Sequence, residues 1–282
     1  MPSTATLTFT DRLQQRVDAA DSLLCVGIDP TIARMPEGVA PSVDGVIEFC
    51  VNLIEATKDD AAIYKPNLGF FVGLGRRGLE ALWEVRQAIP QEIPVLLDCK
   101  IADIDSTAKG YATGWFDEFD FDAITVNAYM GEDSLAPFLQ DAARAIFVVC
   151  KTSNPGSGDL QDITVQTDLT QPLCHHVAKR TKTWNETYPA TVGVVVGATW
   201  PEQLREVRAL LPDQPILLPG IGAQGGDLAA SVAVGTTATG TGLLCSASRS
   251  IMYASSGTDY ADAARTAAHE LRLAINEHRP RG

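Results

Sequence analysis

The sequence predicts an α/β protein folded as a closed (β/α)8 barrel in a single domain, and three observations carry that prediction. Short apolar runs rich in branched residues alternate with longer amphipathic segments. Eight such pairs fill about 250 residues, the usual size of a closed barrel. The turn after the first run reads Gly27-Ile28-Asp29-Pro30, without the glycine-rich fingerprint of a doubly wound open sheet, the main rival.

The expected strands cover residues 23–29, 61–66, 95–99, 123–127, 145–151, 192–198, 215–219 and 238–245. Runs that are apolar on both faces suit strands packed inside against a core and outside against helices. Helical periodicity marks 43–57, 78–88, 104–118, 134–143, 169–184, 201–211 and 226–234, and a closing helix is expected at 260–277. Strict alternation forces crossovers, and hence parallel strands. A helical extension is expected ahead of the first strand. Thr199-Trp200-Pro201-Glu202 reads as a helix start, with a Thr cap, Pro in the first turn and Glu three residues after the Thr. The least regular stretch, 153–170, is too long for a simple connection and is expected to be a functional loop or lid. No linker divides the chain.

Composition narrows the function. Hydrophobic residues are 45% of the 282, enough for a large core, and charged residues are 20%. A net charge of −13 works against nucleic-acid phosphates and anionic lipid, so neither nucleic acid nor membrane is an expected partner. A small anion can bind only where a few cations are gathered. The six cysteines (25, 50, 99, 150, 174 and 245) show no CxxC and no zinc-finger spacing. They read as small buried hydrophobes of a reducing compartment. Residues 1–15 lack a secretory pattern, and no apolar run approaches the roughly 20 residues of a membrane helix. A cytoplasmic protein is expected.

The most informative segment is Leu96-Leu97-Asp98-Cys99-Lys100-Ile101-Ala102-Asp103-Ile104. Side chains alternate along a strand, so Asp98 and Lys100 share a face, while Leu97 and Cys99 face the helices. At the C-terminal end of a barrel strand the charged pair points into the mouth, where active sites form. Alone, the pair could be an ion pair fastening the rim. Yet Asp29 ends the first strand, Lys65 ends the second and Asp103 lies one turn beyond Lys100. Burying charges without good pairing costs several kcal/mol per ion, so packing alone does not call for this gathering. For Asp103 a helix N-cap is the alternative role, compatible with a functional one. Asp105 is expected in the first helical turn, facing solvent.

A second cluster follows the seventh strand: Pro219-Gly220-Ile221-Gly222-Ala223-Gln224-Gly225-Gly226. Glycines let backbone N–H groups approach an anion, and barrels often bind phosphate in the loops after strands seven and eight. Arg249, just beyond the eighth strand, is placed to fork onto the same phosphate.

Together these motifs resemble the orotidine 5′-phosphate decarboxylase family of TIM barrels: Asp-x-Lys-x-x-Asp-Ile at 98–104, Tyr64-Lys65-Pro66-Asn67, Asp29, Ser153-Asn154-Pro155-Gly156 and the glycine loop with Ser248-Arg249-Ser250-Ile251. The similarity runs from about residue 20 to 255, and the length and the long segment after strand five are similar to the longer bacterial subfamily. It implies cofactor-free decarboxylation of orotidine monophosphate, with Lys100 protonating C6 of the pyrimidine. Asp98 would sit beside the departing carboxylate, and Lys65 would complete the charge network. Asp103 would cross a homodimer interface into the partner's site, with Ile104 and Thr107 nearby. Asp29 would hold ribose hydroxyls and Ser153 the pyrimidine edge, while Pro219, Gly222, Gln224 and Arg249 would grip the phosphate.

None of the four histidines (175, 176, 269 and 278) lies at an expected strand end, and no metal-ligand spacing appears. The rivals are a Mg²⁺-dependent barrel acting on sugar phosphates through a similar Asp-x-Lys-x-x-Asp site, and a non-catalytic phosphometabolite-binding barrel.

Overall fold

The computed structural model describes residues 7–167, 170–221 and 227–280. In chain order the first half runs α1 (Phe9–Ala20), β1 (Leu24–Ile28), α2 (Val43–Thr57), β2 (Ile63–Pro66), α3 (Leu68–Val72), α4 (Gly78–Ala88), β3 (Leu96–Ile101), α5 (Asp105–Ala112), β4 (Ala123–Val126), α6 (Glu132–Leu135) and β5 (Ala145–Lys151). Then come α7 (Gly158–Gln161), β6 (Thr164–Gln166), β7 (Thr170–Pro172), α8 (Leu173–Thr187), β8 (Thr191–Val196), α9 (Pro201–Leu210), β9 (Ile216–Pro219), α10 (Leu228–Gly235), β10 (Leu243–Ala247), α11 (Arg249–Met252) and α12 (Tyr260–His278).

Among the described residues, β6 and β7 form an antiparallel hairpin, and the other eight strands pair in parallel in the order β2-β1-β10-β9-β8-β5-β4-β3. Parallel bridges from Tyr64 to Val95 and from Asn67 to Asp98 then bring β3 back to β2. The sheet therefore closes on itself, which removes the exposed edges that an open sheet must protect. All six residues of β8 and all five of β1 are buried, as strands require when covered on both faces.

The floor of the barrel is closed by α1. Its start is fixed by a capping box between Thr8 and Asp11, and Phe9, Leu13 and Val17 form its buried stripe at a spacing of four. Phe9 meets Phe147 edge-on at 6.3 Å. Arg12 pairs with Asp122 at 2.6 Å, and Arg16 donates to the Ala61 carbonyl at 2.9 Å, so the helix lies across the entries to β4 and β2. On the same floor the buried Arg208 donates to the carbonyls of Gly235, Leu211, Gln214 and Gly242. Burial pulls its guanidinium down to about 10.

Several expected elements are altered. The segment 134–143 yields a single turn, α6, then a 3-10 turn over Ala136–Phe138, because Pro137 cannot continue a helix. The segment 104–118 begins as α5 and ends as a π-helical stretch over Thr113–Glu118. Helix α9 is not capped by Thr199. Trp200 occupies the cap position, its indole tied to the Thr152 carbonyl at 2.9 Å, and Thr199 Oγ1 is buried without a partner among the described residues. The strand expected from 238 begins at Leu243, because Gly240 and Gly242 adopt positive φ (73° and 72°) in the turn before it. The stretch 153–170 holds a 3-10 turn, α7 and the β6–β7 hairpin, and the following helix starts at Leu173. Of the cysteines, all but Cys99 are buried, and all six are free; burial pushes the Cys25 thiol up to about 11. Among the described residues no helix is long and apolar enough to cross a membrane.

Candidate active site

The site is built on an irregularity in β3. Leu97 pairs with Ile124 of β4, and Ile101 pairs with Val126, so three residues of β3 (98, 99 and 100) face one of β4, Thr125. Such bulges re-aim side chains and frequent active sites. Lys100 sits at φ 46°, a left-handed conformation that L residues rarely adopt. Strict alternation therefore does not account for the pairing of Asp98 with Lys100; the bulge does. The Lys100 ammonium donates to Asp98 Oδ1 at 2.5 Å and keeps about 45% of its side chain exposed at the mouth.

Asp98 is a carboxylate surrounded by donors. Oδ1 takes Lys100 and the Thr125 hydroxyl (2.9 Å), and Oδ2 takes Lys65 (3.3 Å) and the Asn67 amide (3.2 Å). Two carboxylate oxygens offer about four acceptor positions, so the group is saturated. Burial opposes its charge, but Lys65, Lys100 and the hydrogen bonds prevail and hold its pKa far below the usual carboxylate range. Because the folded value lies below the unfolded one, the pairing contributes stability above about pH 4 and loses it as the pH falls toward the folded value. Lys65 is itself buried. Burial works against its charge too, yet Asp98 and then Asp29 hold the ammonium above its ordinary value. Two lysines and two aspartates thus alternate in sign across the barrel mouth.

The cleft above them is lined by Asp29, Lys65, Asn67, Asp98, Pro219, Gly220, Ile221, Ser246, Ser248 and Arg249. Asp29 Oδ1 is buried with no hydrogen-bond partner among the described residues. Unsatisfied buried acceptors are costly, so a ligand hydroxyl is a natural complement. Arg249 opens α11 and is exposed, without an ion pair among the described residues. Gly27 lets Ser248 approach β1: a Cβ there would stand 1.9 Å from Ser248 Oγ.

Cleft size alone would point elsewhere. An apolar cavity of about 570 Å³ lies between β5 and α8, against about 170 Å³ here. Its carboxylate, Glu132, is already engaged by Arg180, Trp184 and Tyr188. The charge pattern singles out the smaller cleft.

The other expected residues are placed as follows. Asp103 is half-buried, and its carboxylate accepts the N–H of the next residue, Ile104, at 2.9 Å. It is not the N-cap: Ile104 takes that position and α5 begins at Asp105, which is exposed in the first turn. Ile104 and Thr107 are exposed and do not line the cleft of their own chain. Ser153 also lies outside the lining, half-buried after β5, where Gly197 leaves it room; a Cβ at 197 would come within 2.8 Å of it. Gly222 and Gln224 lie outside the described residues.

Several residues in and around the site are assigned no role from the sequence. Asn67 follows Lys65 by two, a polar residue in register with the lysine, and that spacing is a usable signal. Thr125 gives none, since a threonine within a strand is ordinary. Lys151 ends β5, fully buried, donating to both carboxylate oxygens of Asp162 at 2.7 Å and to Ser157 at 3.2 Å, with its ammonium 4.8 Å from the Trp200 ring centroid. It ties the segment after β5 to the barrel. Among the described residues no group of three or more His, Cys, Asp or Glu is placed to hold a metal ion.

The fold and cleft define a parallel (β/α)8-barrel protein with an alternating Asp/Lys cluster facing a cation at the end of the eighth barrel strand. The chain belongs to the orotidine 5′-phosphate decarboxylase / HUMPS family, whose sequence model matches residues 22–265. An orotidine 5′-phosphate decarboxylase of Thermomicrobium roseum is 44% identical over 273 residues, 97% of this chain and 96% of that protein. The Leishmania donovani OMP decarboxylase structure aligns with a TM-score of 0.84 at 42% identity, covering 96% of this chain and 99% of that one. The Leishmania donovani UMP synthase structure aligns at 0.85 and 44% identity over 97% of this chain, which spans 57% of that longer protein.

Proposed function

We propose that this chain decarboxylates orotidine 5′-monophosphate to uridine 5′-monophosphate, the last step of de novo pyrimidine nucleotide synthesis, in the cytoplasm and without metal or organic cofactor. The observation that carries the reading is the saturated Asp98 carboxylate, which lines the same cleft as Arg249 and holds the Lys100 ammonium beside that lining.

The chemistry follows from these charges. The bond from C6 to the carboxylate carbon breaks, carbon dioxide leaves, and the electron pair stays on C6. One proton of the Lys100 ammonium then passes to C6, and the neutral amine regains a proton from water. Asp98 cannot take a proton from substrate, because its acceptor positions are filled; it fixes Lys100 and places negative charge beside the leaving carboxylate. Asp29, one oxygen of which has no partner among the described residues, takes ribose hydroxyls, and Lys65 keeps the cluster near neutrality. Pro219, Gly222, Gln224 and Arg249 hold the phosphate, and Ser153 meets the pyrimidine edge once nucleotide is bound. A positioned general acid gives roughly 10²–10⁴ in rate, so most of a large acceleration must come from fixed charge and from binding energy at the phosphate.

The deciding assay follows the absorbance change on loss of orotidine monophosphate with chelator present. Turnover unaffected by EDTA is expected. Loss of turnover with EDTA, restored by Mg²⁺, would favour the sugar-phosphate rival, and tight nucleotide binding without turnover would favour the non-catalytic one.

Asp103, Ile104 and Thr107 make sense as a contribution to a partner's site, since all three lie outside their own cleft, Asp103 half-buried and the other two exposed. The active form is then a homodimer. Mixed after subunit exchange, inactive Lys100→Ala and Asp103→Ala chains should form hybrids with one intact site. Recovery toward a quarter of wild-type activity is the statistical expectation for equal mixing, roughly half the dimers being hybrids with one working site of two. No recovery after demonstrated exchange would place Asp103 in its own chain's pocket.

A further inference from the structure

We infer that the Thr125 hydroxyl is a positioning residue for the Asp98–Lys100 pair, holding open the bulge in β3 that brings both side chains to the mouth. The inference rests on the decarboxylase reading above and deepens it by adding a residue for which no motif speaks.

The geometry leaves the hydroxyl one arrangement. Thr125 is fully buried on β4, where the strand faces three residues of β3 instead of one. A bulge of that size takes backbone N–H groups out of the strand-to-strand ladder, and buried donors must find other acceptors. Thr125 Oγ1 supplies the acceptor for two of them, the N–H of Cys99 and the N–H of Lys100, each at 2.9 Å. With both lone pairs engaged, its single proton points to Asp98 Oδ1, also 2.9 Å away. The Cys99 thiol adds a contact to the Thr125 carbonyl at 3.3 Å. Two backbone N–H groups of the bulge, the Asp98 carboxylate and the Cys99 thiol thus all meet that one residue.

Two consequences converge on Lys100. Its backbone is held at φ 46° by an N–H bonded to a side chain, which keeps the ammonium on the same side as Asp98. Its counter-ion is oriented by the same hydroxyl, so the acid and the carboxylate move as one unit. Without the hydroxyl, a regular strand pairing competes with the bulge, and the ammonium leaves its position above the cleft. Thr125 lies outside the cleft lining and acts through its neighbours.

The test uses full-length Thr125→Val, which preserves shape and removes the hydroxyl, and Thr125→Ser, which keeps the hydroxyl and removes the methyl. Misplacing a reacting group by about 1 Å costs on the order of 100-fold, so Thr125→Val should lose about that factor in kcat, with KM for the phosphate-anchored nucleotide changed less than about threefold. Thr125→Ser should stay within about fivefold of wild type in kcat, since its hydroxyl can make the same three bonds. Hydrogen exchange at the Cys99 and Lys100 amides gives a readout independent of turnover: protected in wild type and Thr125→Ser, fast in Thr125→Val. Wild-type kcat in Thr125→Val, or Thr125→Ser as impaired as Thr125→Val, overturns the inference. If Thr125→Val does not fold, Thr125→Ser alone decides, because loss of amide protection or of kcat there refutes the role. A wild-type protein without turnover of orotidine monophosphate would sink the decarboxylase reading instead, while amide exchange still decides whether Thr125 holds the bulge.

Discussion

Replacing Lys100 with alanine is expected to lower kcat on orotidine monophosphate by at least about 10⁴-fold, measured by absorbance, with the fold intact by circular dichroism. General acid catalysis accounts for roughly 10²–10⁴ of that, and the lost fixed charge for the rest. The structure explains why the change is worse than removal of one donor. Asp98 stays buried and charged with Lys65, Asn67 and Thr125, and its negative charge then meets the substrate carboxylate with no ammonium between them. Nucleotide binding should weaken as well, but by much less, because the variant leaves the proposed phosphate grip at Arg249 untouched. A kcat within tenfold of wild type would remove Lys100 from the chemistry.

The second large effect is expected at the opposite side of the cleft. Arg249→Ala should reduce kcat/KM on the order of 10²–10³-fold, in the range of losing one strong transition-state contact. If phosphate binding energy serves the chemistry, a truncated nucleoside without phosphate should react slowly with wild-type enzyme and faster when phosphite dianion is added. Arg249→Ala should abolish most of that acceleration. Equal phosphite activation in wild type and variant would place the anion grip elsewhere, on the glycine loop alone.

The barrel was legible because its signals are local and repeated. Each strand announces itself as a short branched run, and helices α2 and α4 carry their amphipathic period to the very residues expected. The charged residues of the site were legible for a different reason: Asp29, Lys65, Asp98 and Lys100 are polar groups at the ends of apolar strands, where packing gives them no cause to be. What escaped the sequence depends on contacts between distant segments. Thr125 acquires its role only because β3 bulges against β4, and no periodicity records a bulge. The indole of Trp200 displaces Thr199 from the cap of α9 through a bond to Thr152, forty-eight residues away. Lys151 looks like the polar end of a strand, and its burial depends on Asp162 folding back from the next segment. Ile104, standing before α5 with about 45% exposure, lies outside the cleft lining of its own chain, and the hybrid-dimer test decides its proposed role.

The floor built by α1 and Arg208 has a practical corollary. Residue 7 leads directly into α1, and Arg279, at the other end, donates to the Gly240 carbonyl in the turn that enters β10, so both lie on the face remote from Lys100 and Arg249. An affinity handle, a fluorescent partner or a solid support joined at either end would leave substrate entry unobstructed. Heat tolerance could likewise be tuned at that base, by reinforcing the guanidinium clip or the helix across the strand entries, without disturbing the charges gathered at the mouth.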